Sequence, residues 1–405
     1  MTLSTRFYSL DIFRGATVAL MILVNNAGNW AHSFAPLRHA EWHGCTPTDL
    51  VFPFFLFAVG NALALVMPRL QAAGESQFWK KVLRRSLLIF LIGLGLNWFP
   101  FVAWSADGLT LKTWVQSTDA TQGIRILGVL QRIAIAYLGA SVLAYYMKPK
   151  VLIYTSAALL FIYWLLCIYF GEGDPYMLTG WFGTDVDKAV LGVAHMYKGE
   201  GVPFDPEGIA STLPAIVQVV FGFLTGEFIR QHGTVSWLWK GLPVSKEPFF
   251  KTIAGLMVGG FIVLILGWIW SLGFPINKKI WTSSYVLYTS GLAILTLGSV
   301  IWYTDLQGAR NIFTRFFDVF GKNSLFIFVL SGMLPRISGL IRIAQGVNEQ
   351  GNVVYTTPLA WFYQNVCAHV PGPPEVGSFF YALCFLLLMW SICAILDNKK
   401  IYIKV

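Results

Sequence analysis

The stretch VFPFFLFAVGNALALVM, residues 51–67, decides the fold class, because seventeen residues pass without a charge. A helix rises about 1.5 Å per residue, so roughly 20 mostly apolar residues cross the hydrocarbon layer. Extended to 49–68, this run meets that length. Working outward, nine further runs do the same: 9–27, 86–104, 127–147, 150–171, 211–230, 252–273, 281–303, 316–335 and 376–396. The chain of 405 residues is 56% apolar and 12% charged, against about 25% charged in a soluble domain. So little charge cannot clothe a soluble surface over a core holding 16 Trp, 16 Tyr and 32 Phe. Disorder, coiled coil and a disulfide scaffold are excluded on the same grounds. The expectation is an all-α, polytopic membrane protein of about ten transmembrane helices, forming one domain over 1–405.

Basic residues orient such a bundle, since loops that stay in the cytoplasm keep an excess of Lys and Arg. With the N-terminus inside, the inner segments carry 17 of the 29 basic residues, the outer loops nine, and the spans Arg14, Arg132 and Lys322. Both termini are therefore expected in the cytoplasm, and the net charge of +9 is mostly this topology signal. It marks no nucleic-acid partner, because no basic patch sits on a recognisable binding module. The first apolar run contains Asp11 and Arg14 and lacks a small-residue cleavage site, so it is expected to be a span and not a cleaved signal. The long connections 172–210 and 336–375, rich in Gly, Pro and aromatics, should fold over the bundle. No internal repeat is evident, and no CxxC, HExxH or carboxylate-rich cluster offers a metal site. Cys45 and Cys367 fall on the outer side, where a disulfide is a minor reading.

Ionisable residues inside a membrane are costly, and each one is a functional hypothesis. Asp11 and Arg14 stand three residues apart on one helix face, which favours a structural ion pair. Asn25 lies fourteen residues beyond Asp11, about 21 Å along the axis, and so reaches the outer surface. The following loop, Arg38-His39-Ala-Glu41-Trp42-His43-Gly-Cys45-Thr46-Pro-Thr48-Asp49, is the densest chemistry in the chain. A histidine with a carboxylate in reach suits a general base near neutral pH; interfacial histidines on a wet loop are the plainer reading. Further polar groups are Gln131-Arg132 in the fourth span, Asp205-Pro-Glu207-Gly208, Asn277-Lys278-Lys279-Ile-Trp281, and Lys322-Asn323-Ser324. Caps, aromatic anchors and snorkelling lysines account for some of these.

In order, Leu10-Asp-Ile-Phe-Arg14-Gly15, Val24-Asn25, His39-Ala-Glu-Trp42-His43-Gly44 with Asp49-Leu-Val-Phe-Pro53, Gly128-Val-Leu-Gln131-Arg132, Asp205-Pro-Glu207-Gly208, Asn277-Lys278-x-x-Trp281-Thr-Ser-Ser-Tyr285 and Gly321-x-Asn323-Ser324 resemble the catalytic domain of the heparan-α-glucosaminide N-acetyltransferase family. The resemblance covers nearly the whole chain. It departs at His43, where the animal enzyme has Asn, and in a longer loop between Asn25 and His39. The lumenal N-terminal region and extra span of the lysosomal enzyme have no counterpart here, which implies a bacterial, catalytic-core version in an inner membrane.

The resemblance implies transfer of acetyl from cytosolic acetyl-CoA, a co-substrate and not a bound cofactor, to the amine of a glucosamine-type sugar or glycosaminoglycan fragment across the bilayer. It implies His39 as the active histidine and Asn25 as its companion. Acyl transfer needs a base for the attacking amine and donors for the oxyanion, with Asp49 able to orient His39. Direct attack and an acetyl-histidine intermediate both remain open. Arg132, Gln131, Asn323 and Lys322 are expected near the CoA, with Arg132 and Asn323 lining the inner part of a tunnel. The Lys80–Arg85 cluster is a further candidate for the phosphates, with a positive-inside topology signal as its plainer reading. Trp42, His43, Asp205, Glu207, Asn277, Lys278 and Trp281 are expected to meet the sugar. A homodimer is allowed. The alternative is an amino-sugar transporter using the same polar core, and a non-catalytic anchoring subunit is a third reading.

Overall fold

The computed structural model describes residues 7–105, 108–117, 119–232 and 247–403. Arg6, Lys240, Lys246 and Lys404, used above for orientation, lie outside them. The long helices are α1 (Tyr8–Asn25), α2 (Val51–Ala72), α3 (Glu75–Trp98), α4 (Val129–Tyr146), α5 (Pro149–Phe170), α7 (Ile209–Gln231), α8 (Glu247–Trp270), α9 (Ser283–Ile301), the pair α10 (Ile312–Lys322) and α11 (Ser324–Ser338), and α13 (Pro374–Asn398). Short helices α6 (Gly183–Leu191) and α12 (Pro358–Asn365) sit in the connections. So do two antiparallel hairpins, β1 (Val102–Ser105) with β2 (Gly108–Leu111) and β3 (Ile343–Val347) with β4 (Val353–Thr356).

Among the described residues, eight helices are long and apolar enough to cross a membrane, or nine if the bent pair α10–α11 counts as one span. Helix α3 is too charged to count by composition, yet it runs the length of α4 in the opposite direction. Near its start Trp79 Nε1 donates to Tyr146 at the end of α4 (3.1 Å), and near its end Asn97 Nδ2 donates to the Arg125 carbonyl ahead of α4 (2.9 Å). The third span was expected at 86–104. Instead the helix starts at Glu75, because the long stems of Lys80, Lys81, Arg84 and Arg85 tolerate helical geometry and carry their charges out to the interface. It stops at Trp98 because Phe99 precedes Pro100, and a residue before proline is driven to extended backbone, here ψ 139°. The ninth span, expected as one helix at 316–335, is two helices bent by 81° at Asn323. The C-terminal tail occupies that break: Asn323 donates to the Ile401 carbonyl (3.1 Å) and accepts from the Ile403 amide (2.9 Å).

Lipid gives no hydrophobic drive for helix pairing, so close backbone approach through small residues carries much of the packing. A Cβ on Gly15 would stand 1.8 Å from the Phe317 carbonyl oxygen, and one on Gly321 would stand 2.0 Å from that of Asp11, so α1 and α10 touch backbone to backbone. Gly60 and Gly222 do the same for α2 and α7.

Five connections meet at one end of the bundle. Trp42 Nε1 donates to the Tyr176 carbonyl (2.8 Å), Gly44 N–H to Ile276 (2.8 Å), Lys279 pairs with Glu200 (2.6 Å), Arg125 with Asp205 (2.6 Å), and Trp104 Nε1 donates to Leu340 (3.1 Å). The functional candidates of the sequence mostly gather under this cap.

Replacing Gly60 by Val forces a side chain into the Val219 carbonyl, 1.9 Å from the ideal Cβ. Overpacking of this kind costs about 1–3 kcal/mol. Gly95 has nothing within 4 Å of its Cβ position, so Gly95→Ala should gain up to about 1 kcal/mol from helix propensity. Thermal midpoints in detergent, followed by tryptophan fluorescence, should therefore fall for Gly60→Val and hold or rise for Gly95→Ala.

Candidate active site

The site is built on the connection between α1 and α2. Pro36 and Pro47 each open a single 3₁₀ turn, Ala35–Leu37 and Pro47–Leu50, and the segment between them is folded onto Asp49. One carboxylate oxygen, Oδ2, accepts the amides of Ala40 and Thr46, each at 3.0 Å. The other, Oδ1, meets His39 Nδ1 at 2.6 Å. Tyr285 on α9 donates its hydroxyl to the Asp49 carbonyl (2.6 Å), which ties the turn to the bundle. A carboxylate only accepts, so the ring proton of His39 lies on Nδ1 and Nε2 carries the lone pair. Asp49 is 1% exposed while the His39 side chain is 46% exposed, so the anchor is dry and the working edge is open.

Lys278 stands over the same imidazole, its Nζ 3.0 Å from Nδ1, 3.2 Å from Nε2 and 3.6 Å from Asp49 Oδ1. Burial pushes its ammonium below the ordinary lysine range, against the pull of Asp49 and Glu207. The lysine is held by a tight turn in which Asn277 Oδ1 accepts the Ile280 amide (3.1 Å) and Trp281 adopts φ 51°.

Two cavities meet at His39. One, of about 170 Å³, runs into the bundle between α1, α2, α4 and α11, and Asn25 lines it with His39. The other, of about 220 Å³, opens through the cap between Trp42, Arg125, Tyr197, Glu200, Lys279 and Trp281. Four residues line both: His39, Val129, Glu207 and Lys278. A third cavity, of about 70 Å³, lies toward the opposite end beside Arg14, Arg85 and Ser324. It shares Phe55 and Ile133 with the first, so the cavities follow one another through the bundle. Arg85 Nε is buried with no hydrogen-bond partner among the described residues, and its guanidinium lies 4.9 Å from the Tyr137 ring.

The structure brings His39, Asp49 and Lys278 into contact and sets Asn25, Glu207, Trp42 and Trp281 on the same cavities. It does not bring the others there. Asp205 is fully buried beneath Arg125, which chelates it (3.1 and 2.6 Å) and also bonds Glu207. Asn277 serves its turn, and His43 faces Asn277 Nδ2 at 3.4 Å. Burial lowers the His43 pKa, with Asp174 opposing. Arg132 corrects the expectation of an inner tunnel wall. It lies one turn into α4, at the His39 end, wholly buried, donating to the Gly208 carbonyl (3.0 Å) and to Ser211 with its guanidinium 5.1 Å from the Trp281 ring. Gln131 packs against Gly93 and Gly128. Lys322 is spent on Asp318 and Asp397 (2.7 and 3.0 Å) and Asn323 on the tail, and neither lines the three cavities described above. Asp11 and Arg14 do pair, and Arg14 Nε also donates to the Gly321 carbonyl (3.1 Å). All five cysteines are free, Cys45 and Cys367 included.

Arg125 and Asp187 were not singled out by sequence reasoning. Asp187 accepts the Ile209 amide (2.8 Å), and burial pushes its carboxyl up to about 7, with Asp205 adding to the rise and Arg132 opposing it. Arg125 lies 80 residues from its partner Asp205, a separation that carries no pairing signal in one sequence.

These features define a polytopic membrane protein with a histidine–carboxylate pair at the junction of two cavities, one entering the bundle and one opening through its cap. No family model matches the chain. It is 27% identical over 376 residues to the human heparan-alpha-glucosaminide N-acetyltransferase, a match covering 81% of this chain and 53% of that protein. The mouse protein of the same name is 26% identical over 380 residues, covering 80% and 53%. The chain is thus similar to the heparan-alpha-glucosaminide N-acetyltransferases over about four fifths of its length, and it spans about half the length of the curated relatives it matches.

Asp49 is the centre of the local network, so Asp49→Ala should release the loop. Losing charge-assisted bonds of about 1.5–3 kcal/mol each should speed amide exchange at Ala40 and Thr46 by about 100-fold. Hydrogen exchange with mass spectrometry should find α2 beyond Phe57 unchanged.

Proposed function

We propose that the chain is a transmembrane acetyltransferase. It moves acetyl from acetyl-CoA, entering from the cytoplasm, to the amine of a glucosamine-type sugar on the opposite side of a bilayer. Both termini are cytoplasmic in this reading, and the cap holding His39 faces outward, in keeping with the excess of Lys and Arg at the other end. The observation that carries the reading is the place of His39, the one histidine lining both cavities, with Asp49 on Nδ1 and its Nε2 edge open. The name borne by the relatives supplies the reaction class.

The pantetheine arm occupies the cavity that enters the bundle, and the sugar occupies the cap cavity. The thioester carbonyl then lies at their junction. The amine attacks it, His39 Nε2 takes the proton released as the C–N bond forms, and Asp49 stabilises the imidazolium. Asn25 lines the thioester's cavity and is suited to donate its amide to the oxyanion. Collapse expels the thiolate, which takes from His39 the proton that came from the amine. Trp42 and Tyr197 offer faces for the sugar ring, and Glu207 offers an anionic oxygen for its ammonium. Arg14 and Arg85, at the inner cavity, suit the CoA phosphates better than Arg132, which is wholly buried at the far end.

The test is purified protein in detergent, given acetyl-CoA and glucosamine, with N-acetylated product measured by mass spectrometry and free thiol by a colorimetric reagent. Wild type should form both. His39→Ala should lose at least about 1,000-fold while still binding CoA, and Asn25→Ala should lose about 100-fold. Arg85→Ala should weaken CoA binding by about 10- to 100-fold, the loss of one charge-assisted phosphate contact, with the acceptor KM unmoved. A wild type that binds no CoA but exchanges labelled amino sugar across liposomes would replace this reading with transport.

A further inference from the structure

We propose that Lys278 is a second proton acceptor in acyl transfer, working beside His39 at the junction of the two cavities; this rests on the acetyltransferase reading above. An amino sugar arrives near neutral pH largely as an ammonium. Two protons must leave its nitrogen before the amide exists, and only one is needed by the departing CoA sulfur. His39 can carry that one. The other needs a separate base in contact with the same nitrogen.

Lys278 meets the geometric requirement. It is one of the four residues that line both cavities, and its Nζ lies 3.2 Å from His39 Nε2, the atom facing the reaction. Its electrostatic surroundings suit an amine that gives up its proton readily. The nearest carboxylate oxygen, Asp49 Oδ1, is 3.6 Å away and already bonded to His39 Nδ1. Glu207, the other acid on the junction, is bonded to Arg125. Arg125 and Lys279 line the cap cavity as cations, with Glu200 paired to Lys279 and Asp205 to Arg125. Cys45 is close enough to act on Lys278 electrostatically, but burial pushes its thiol up to about 12, so it stays uncharged. Burial correspondingly holds the Lys278 ammonium below its ordinary range. The turn fixed by Asn277 and Trp281 keeps the side chain in place.

The step balances. The sugar ammonium gives one proton to the lone pair of Lys278 in its unprotonated form. The free amine attacks the thioester carbon, the carbonyl π pair moves to oxygen, and His39 Nε2 takes the second proton. The C–S bond then breaks, and the thiolate takes that proton back from His39. Lys278 releases its own proton to water in the cap cavity. The sum is ammonium plus thioester giving amide, thiol and one proton.

The experiment compares two acceptors in wild type, Lys278→Met and Lys278→Arg. Glucosamine is charged at neutral pH; methoxyamine is uncharged there and has only one proton to lose. Lys278→Met should lose about 100-fold or more with glucosamine at pH 7, the ordinary worth of a general base, and stay within about threefold of wild type with methoxyamine. Its glucosamine rate should climb about tenfold per pH unit as free amine appears. Lys278→Arg holds a permanent charge there and cannot accept a proton, and it should behave as Lys278→Met. If Lys278→Arg keeps the wild-type glucosamine rate, the residue supplies charge and the proposal fails. If either variant loses methoxyamine transfer as severely as glucosamine transfer, the role is structural and the proposal also fails. A wild type that acetylates neither acceptor overturns the acetyltransferase reading itself.

Discussion

Everything at the His39 end depends on one buried carboxylate. Asp49 is 1% exposed yet spends both oxygens, Oδ2 on two backbone amides and Oδ1 on an imidazole. Burying an unpaired carboxylate would cost several kcal/mol, so the loop cannot leave without exacting that cost. The same bonds that remove the penalty choose the tautomer of His39. Folding and chemical competence are therefore the same constraint here: a loop that satisfies Asp49 also delivers an imidazole with its basic nitrogen facing two cavities.

The cap around it is an alternation of charges. Arg125 neutralises Asp205 and Glu207, Lys279 neutralises Glu200, and Arg132 is held by the Gly208 carbonyl, Ser211 and the face of Trp281. These pairs leave Lys278 sharing Asp49 with His39 as its carboxylate partner, and they hold the ends of α4, α7 and α9 together around the site. Away from the cap the bundle is knit by backbone contact at glycines, where α1 meets α10 and α2 meets α7. That rigid frame keeps the cavity between α1, α2, α4 and α11 open in a protein that otherwise packs densely.

Apolar run length made the membrane class legible, because the hydrocarbon thickness imposes a length that few other constraints imitate, while the ten runs read from sequence compare with eight membrane-length apolar helices, or nine with the bent pair, among the described residues. The boundaries were less legible. Lys80–Arg85 reads as a loop by hydropathy but is helix, since charge at the interface does not oppose helical backbone. The 81° break at Asn323 is invisible in the pattern because apolar residues continue on both sides and the break is stabilised by a tail about 80 residues away. Within the site, neighbours in sequence could be read together, as with His39 and Asp49 ten residues apart. Partners such as Arg125 with Asp205, or His39 with Lys278, are joined only by the fold. Arg132 lies elsewhere than its charge suggested: it sits one turn from the cap end of α4, where Nη2 is bonded to Gly208 and Ser211 while Nε and Nη1 have no hydrogen-bond partner among the described residues.

The central claim is that an acyl donor entering from the end opposite the cap meets its acceptor at His39. The most direct measurement is a density map of the protein with bound CoA in lipid nanodiscs. The account predicts the nucleotide near Arg14 and Arg85, the pantetheine arm passing Phe55 and Ile133, and the thiol in the cavity shared by Asn25 and His39, within about 3–4 Å of where the amine must stand. CoA lodged in the cap cavity with its thiol away from His39, or a bundle that binds no CoA at saturating concentration, would contradict it.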